Sequence, residues 1–308
     1  MSIKSYENAI KSERTALRYV LVKCFKTHQR FCPYCGSRKF WKLADKRRRC
    51  QRCKKIYHDF TKRWWNQVHL PMDDWLRIVK LFDMELSTRK ISKETGLPYK
   101  TVFKAVMTIR YAILTHASDA REILMSGEIE LDESYFGGKR KGNRGRGAAG
   151  KIPVFGILTR GGKAHVEVVP NVKSTTLMGI TVKKVRRGSI IYTDKYQAYD
   201  SLMCCGYKHL SVDHSSRFCH GKVHINGLEG FWSWAKERLF KHHGISPRWF
   251  PLYLKEVEFR YNHREESLFD VLVGYMSDLI PEIPQSEEDS VISKSDEELK
   301  NQTVLLAS

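Results

Sequence analysis

The sequence has no apolar run of about 18 residues, so no membrane-spanning helix is expected. Its first nineteen residues, MSIKSYENAIKSERTALRY, lack the apolar stretch that marks a secretory signal. No segment repeats. Acids are scarce: 34 Asp and Glu stand against 54 Lys and Arg, for a net charge of +20. The few acids are also unevenly spread. Residues 281–308 hold seven of them with two bases, net −5, which leaves +25 on residues 1–280. A chain this basic points to a polyanionic partner, nucleic acid first, with a merely solvated basic surface as the plain alternative. Eight cysteines with no export signal exclude a disulfide framework and point to reduced thiols and metal ligation.

What is present starts with length. A chain of 308 residues with 42% hydrophobic content makes two or three domains with ordinary cores. Residues 1–30 read as a short basic helix, with Cys24 a core thiol. Cys32-Pro-Tyr-Cys35 and Cys50-Gln-Arg-Cys53 form two C-x-x-C knuckles fourteen residues apart. Each knuckle sets two thiolates on one turn, and two knuckles complete a closed tetrahedral Zn2+ site of structural type. The intervening SRKFWKLADKRRR and the following KKIYHDF mix basic and aromatic residues, as suits a small ribbon lying on phosphates. Residues 71–112 are helical by pattern. Ile91, a turn at Gly96-Leu97, then Val102 and Val106 match a helix-turn-helix, which places Tyr99, Lys100, Phe103 and Lys104 near the exposed start of its second helix. A plain helical hairpin is the other reading.

Past 118–126 the grammar changes to strands. Glu128–Phe136 alternates; 153–159 and 163–169 flank the hairpin signal Arg160-Gly161-Gly162. A helix over 174–185, a strand over 188–194 ending on Asp194, a helix over 195–204 and a strand over 207–212 follow. Last comes VHINGLEGFWSWAKERLF, 223–240. This final helix carries an apolar stripe (Leu228, Trp232, Ala235, Leu239) and a polar one (Asn226, Glu229, Ser233, Lys236). The order, antiparallel strands first and parallel crossovers after, is that of a mixed α/β ribonuclease-H-like fold.

In such a sheet the strands of Asp132 and Asp194 can be neighbours, with the helix of Glu229 across them. Three clustered carboxylates repel unless divalent cations neutralise them, and Mg2+ or Mn2+ prefers all-oxygen ligands. Asp132 would bridge two ions, with Asp194 and Glu229 holding one each. Two ions about 3.5–4 Å apart suit in-line displacement at phosphorus. Lys236 would take a DNA phosphate. Taken singly, each acid reads as an ordinary surface or capping residue.

LDESYFGGK, IYTDKYQAY and HINGLEGFWSWAK resemble the three signature blocks of bacterial insertion-sequence DDE transposases, in the zinc-ribbon branch related to Merlin elements. The resemblance covers about residues 30–275. It implies a DNA transposase that binds terminal inverted repeats and performs two-metal phosphodiester hydrolysis and transesterification. It also implies double-stranded DNA as partner, a homodimer or higher assembly on DNA, and a cytoplasmic, nucleoid-associated location. Family members differ in whether Asn or Glu of the last block is the third metal ligand. This chain has both, Asn226 and Glu229; Glu229 is favoured because a carboxylate suits a hard cation better. The expected domains are 1–62 (N-terminal helix and zinc ribbon), 63–118 (helix-turn-helix region), 119–278 (catalytic) and 279–308 (acidic tail, disordered).

Residues 137–151, GGKRKGNRGRGAAGK, hold six glycines and six bases, and Lys139, Arg140, Lys141, Arg144 and Arg146 are expected on a phosphate backbone. Glu133 should point to the sheet face opposite Asp132. His214, His220 and His224 are DNA-facing or simply exposed, with a second zinc site including Cys219 the lesser alternative. Trp64-Trp65 and Trp249-Phe250 read as core. Residues 247–275 read as one last helix closing the catalytic domain. Two other functions fit less of the sequence: a DNA-binding regulator without catalysis, and a structure-specific nuclease on the same fold.

Overall fold

A computed structural model describes residues 3–27, 29–119, 124–137, 151–194, 202–212 and 225–281. The basic loop residues Lys139, Arg140, Lys141, Arg144 and Arg146, the histidines 214, 220 and 224, Cys219, most of the helix expected over 195–204 and nearly all of the acidic tail lie outside these.

Residues 1–30 form two helices instead of one, α1 (Ile3–Ile10) and α2 (Glu13–Cys24). Ser12 makes the break. Its hydroxyl accepts from the Thr15 amide while Thr15 answers at the Ser12 amide, a capping box that starts a new helix. Then comes the ribbon, three short antiparallel strands in the order β1 (Phe40–Lys42), β2 (Arg48–Cys50), β3 (Ile56–Tyr57). Next are α3 (Met72–Asp83), α4 (Thr88–Thr95) and α5 (Tyr99–Asp119). Ser87 caps α4, and Gly96 ends it at φ 70°, a left-handed position that suits glycine. Ile91, Val102 and Val106 are buried, so the helix-turn-helix packs on the residues the spacing names.

The second half is a five-stranded sheet in the order β6-β5-β4-β7-β8. The strands are β4 (Glu128–Phe136), β5 (Ile152–Thr159), β6 (Ala164–Val168), β7 (Ile190–Asp194) and β8 (Lys208–Val212). β4, β5 and β6 pair antiparallel; β4, β7 and β8 pair parallel. Alternation sends Ile129, Leu131, Phe155 and Ile157 to one face, under α6 (Ser174–Lys184). Val154 and Leu158 face the other way, under α7 (Asn226–Phe240) and α8 (Phe250–Asn262). Helices on both faces of this mixed sheet make the ribonuclease-H-like arrangement.

Residues 247–275 are two helices. After α8 the chain turns, and Ser267 caps α9 (Leu268–Ser277). The apolar face of α9 does not close the sheet domain. Phe269, Leu272, Val273 and Met276 sit in one core with Ala16 and Val20 of α2, Trp75 and Val79 of α3, and Ile109 of α5. The N-terminal helices thus share their core with the helix-turn-helix and α9, and the ribbon reaches it only through Phe31 at its edge. Trp64 and Trp65 are buried there, and the Trp65 indole donates to Ser277 Oγ at 3.0 Å. Arg63, also buried, donates to the carbonyls of Cys24 and Ser277.

Two ion clusters join the halves. Glu85 of the α3–α4 turn takes Arg238 Nε at 3.2 Å and Lys241 Nζ at 2.9 Å, both from the end of α7. Glu256 of α8 accepts from Arg110 of α5 at 2.7 Å and from Arg260 at 3.0 Å. Arg260 also donates to the carbonyls of Phe82 (2.7 Å) and Asp83 (3.1 Å) at the end of α3. Burial disfavours the Glu256 charge, but the two guanidiniums outweigh it and hold the carboxyl down to about 2. A depressed carboxyl stabilises the fold above its ordinary value of 4.5, and that contribution is lost as pH falls toward 2. Glu256→Gln leaves two buried cations without their counter-charge and should cost about 3 kcal/mol at pH 7. Urea midpoints of the two proteins at pH 7 and pH 3 check this; the gap should narrow at the lower pH.

Candidate active site and zinc centre

The four cysteines meet. Their Sγ atoms all lie within 4.8 Å of one another, with Cys32–Cys53 and Cys35–Cys50 each at 3.6 Å. Tetrahedral zinc with bonds of about 2.3 Å requires sulfurs roughly 3.8 Å apart, and a disulfide requires about 2.05 Å. The donor set therefore fits zinc and excludes disulfides. The ribbon's outer surface pairs bases with rings. Lys54 lies over Trp41 at 5.0 Å, and Lys55 and Lys62 lie over Tyr34 at 4.6 and 4.8 Å. Trp41 is 47% and Tyr34 37% exposed, so the rings are open to a partner. At the start of α5, Lys100 and Lys104 are exposed, and Tyr99 is exposed and stacked on Phe103 at 6.1 Å.

On the sheet, Glu130 aligns with Tyr192 across the parallel β4–β7 pair. The paired register ends there; carried two residues on, to the end of β7, it sets Asp132 next to Asp194, whose charge acts on Asp132. Both point to the α7 face. The same face of β4 carries Glu128, Glu130 and Asp132 in a row. Arg160 neutralises the first two, at 2.9 Å from Glu128 and 3.0 Å from Glu130, and stacks over Tyr192 at 3.6 Å. Asp132 is left with hydrogen bonds alone among the described residues: the Glu133 amide donates to Oδ1 (2.8 Å) and the Trp232 indole to Oδ2 (3.0 Å). Burial first, then the Glu133 and Asp194 charges, push its pKa up to about 7 against those two donors. A buried carboxylate raised by neighbouring carboxylates is an environment that a divalent ion would relieve.

The helix α7 lies along β4 and is pinned to it twice. The Leu228 amide donates to Glu130 Oε2 at 2.8 Å, and four residues on, Trp232 reaches Asp132. Four helical residues rise about 6 Å and two strand residues about 6.6 Å, so the two bonds stay in step. Leu228, Trp232, Ala235 and Leu239 are buried; Asn226, Glu229, Ser233 and Lys236 are exposed, as the two stripes require. Glu229 sits between the two pinned residues, one position past Leu228. Lys236, one turn beyond Trp232, has its Nζ 5.8 Å from the Phe136 ring at the far end of β4. Among the described residues the cysteine cluster alone brings three metal-ligating side chains within 4.8 Å, so Asp132, Asp194 and Glu229 do not close to that distance.

Two contributors escape a reading of spacing alone. Trp232 counts as core by its place in the apolar stripe, yet its indole N–H is the group that holds Asp132. Gly156, opposite Asp132 on β5, makes room for it: a Cβ there would lie 2.4 Å from Trp232 Cζ2. Gly156→Ala should displace the ring, free Asp132 Oδ2 and destabilise the protein by about 2 kcal/mol. Thermal melting and the fluorescence maximum of the tryptophans report it; unchanged values would mean the ring is not seated as described.

Residues 124–262 match the ISXO2-like transposase domain, and residues 11–56 match the transposase zinc-ribbon domain. An uncharacterized transposase-like protein of Haemophilus influenzae is 44% identical over 103 residues, which cover 33% of this chain and 84% of that protein. This chain belongs to the ISXO2-like transposase family. A more distant relative of this transposase chain is an uncharacterized protein in transposable element ISH50 of Halobacterium salinarum, 25% identical over 75% of this chain and 84% of the relative. Two solved structures of the Mos1 transposase also align at 10% identity. One is a paired-end complex with the left transposon end (TM-score 0.24, covering 67% of this chain and 80% of that one). The other is a pre-cleavage transpososome (TM-score 0.22, 65% and 78%).

Proposed function

We propose that this transposase binds the terminal inverted repeats of its element through the zinc ribbon and the helix-turn-helix, and cuts and joins DNA strands at Asp132 and Asp194. What supports the reading is Asp132 on β4, buried, raised to about 7 and acted on by the charge of Asp194 at the end of the parallel neighbour β7, with the helix of Glu229 across it. Glu229 is the proposed third ligand, with Asn226 on the preceding turn as the alternative. When bound, Mg2+ or Mn2+ would neutralise the carboxylates and polarise the attacked phosphodiester. The chain's own groups do the rest. The Trp232 indole and the Glu133 amide fix the two Asp132 oxygens, Lys236 takes a backbone phosphate, and Tyr99, Lys100 and Lys104 meet the element's end. Water attacks phosphorus first and frees a 3′-hydroxyl; that hydroxyl then attacks the target strand. No covalent protein–DNA intermediate forms, so no Ser or Tyr nucleophile is needed.

Strand transfer from a pre-cut end tests it. With Mg2+ and a DNA duplex ending in the element's inverted repeat, the protein should join the 3′-end to target DNA. Cutting without joining would leave a nuclease, and binding without either would leave a regulator.

A further inference from the structure

We propose that Glu130 is a positioning residue for the catalytic helix: it caps the N-terminus of α7 from β4 and so sets where Glu229 and Asn226 stand over the Asp132–Asp194 pair. The proposal rests on the reading of the site given above, though its first test does not.

A helix leaves its first amides without partners, and a Ser, Thr, Asp or Asn at the N-cap normally satisfies one. The N-cap of α7 is Ile225, which has no side-chain oxygen, and no side-chain cap bond forms there. The missing acceptor arrives from another element. Glu130, 1% exposed, accepts the Leu228 amide at 2.8 Å through Oε2 while Oε1 meets Arg160 at 3.0 Å. A carboxylate at this end also complements the helix dipole. The approach is close enough to favour glycine. A Cβ on Gly227 would lie 2.8 Å from Glu130 Oε2 and 2.7 Å from Leu158 Cδ2. Arg160 in turn is held by Glu128 and by the Tyr192 ring, so the carboxylate itself cannot drift.

The anchor bears on Glu229 directly. The capped amide belongs to the residue before it, and the Glu229 amide is the first to bond within the helix, to Ile225 O at 3.1 Å. Trp232 fixes the next turn against Asp132. Without Glu130 the first turn would keep the packing of Leu228 but lose its polar tie to β4, and Asn226 and Glu229 would be free to shift. Glu130 does not join the metal cluster: both of its oxygens are already committed to α7 and Arg160.

Hydrogen–deuterium exchange of the full-length protein with Glu130→Ala, Glu130→Gln and Gly227→Ala provides the test, with Mg2+ titrations of cleavage alongside. In Glu130→Ala and in Gly227→Ala the amides of residues 227–230 should exchange about tenfold faster, with β4 and β5 unchanged. Glu130→Gln keeps an acceptor oxygen and should retain protection within about threefold. The sign for Gly227→Ala is decisive, because helix propensity alone would slow exchange there. The Mg2+ concentration for half-maximal cleavage should rise about tenfold in the same two variants, with a smaller effect at saturating Mn2+. Unchanged exchange in both, or protection lost alike across β4, β5 and α7, overturns the proposal. A wild-type protein that never cuts would overturn the catalytic reading and leave exchange to decide the anchor.

Discussion

Asp132→Ala, and equally Asp194→Ala, should lower Mg2+-dependent strand cleavage by at least about 10³-fold, roughly 4 kcal/mol of barrier, while binding to the element's end stays within about twofold. The two readouts separate because the parts are separate. Lys100, Lys104 and the ribbon's Trp41 and Tyr34 lie on elements that share no core with β4 or β7. The substitution should not act by unfolding either. Asp132 has its pKa raised from 3.8 to about 7, chiefly by burial and then by the Glu133 and Asp194 charges. A raised carboxyl costs stability progressively as pH rises from about 4 through 7, so at pH 8 the metal-free native state carries that cost in full. Asp132→Asn removes it while keeping an oxygen for the Trp232 indole. Partial exposure of the group reduces the effect, to roughly 1–2 kcal/mol. In metal-free buffer at pH 8 the Asn protein should therefore melt a few degrees higher than wild type while failing to cut. A variant that cuts at the wild-type rate would remove Asp132 from the chemistry. One that melts well below wild type would make the loss of cutting a folding defect.

The site was legible in the sequence where periodicity fixes direction. The alternation of 128–136 puts Asp132 on one face and Glu133 on the other, and the 3.6-residue stripes of 226–240 separate Leu228 and Trp232 from Glu229 and Lys236. The Cys spacing is read by chemistry alone, since two knuckles have few other uses. What stayed hidden depends on contacts between distant elements. The row Glu128, Glu130, Asp132 is visible in sequence, but that Arg160 neutralises the first two and leaves the third is a fact of β4–β5 pairing. The indole of Trp232 is polar at one atom only, and its place in an apolar stripe masks that atom. The destination of α9 was equally hidden: an apolar face states that it needs a core, not which one. Phe269 and Leu272 found theirs beside α2, some 250 residues earlier in the chain, because a return to the N-terminal helices covers both faces at once.

Removing zinc should unfold the ribbon and little else. With a chelator that spares Mg2+, or with Cys50→Ser, end binding should fall about 100-fold, while the midpoint of the main thermal transition shifts by less than about 3 °C. The ribbon cannot hold itself. Its buried set is Cys32, Cys50 and Tyr57, with Cys35 and Cys53 partly covered, so nearly all of its core is metal ligands. Its strands are two or three residues long, and such a sheet has no independent stability in water. The neighbouring helices stand apart from this. Ala16, Val20 and Cys24 of α2 are packed into the core shared by α3, α5 and α9, and Arg63 is tied there to the carbonyls of Cys24 and Ser277. Arg30 and Arg48, which both bind Asp59 (Nε at 3.0 Å and Nη1 at 2.6 Å), mark where order should end, since Arg48 is a ribbon residue and Asp59 lies two residues past β3. Zinc content, exchange of the amides of residues 31–57 and anisotropy of a labelled inverted-repeat duplex measure the three consequences. Zinc added back should restore binding to the chelated wild type and not to Cys50→Ser. If the metal-free ribbon keeps its amide protection, the four thiols hold no structural ion; if it loses protection and binding persists, the helix-turn-helix alone carries recognition of the element's end.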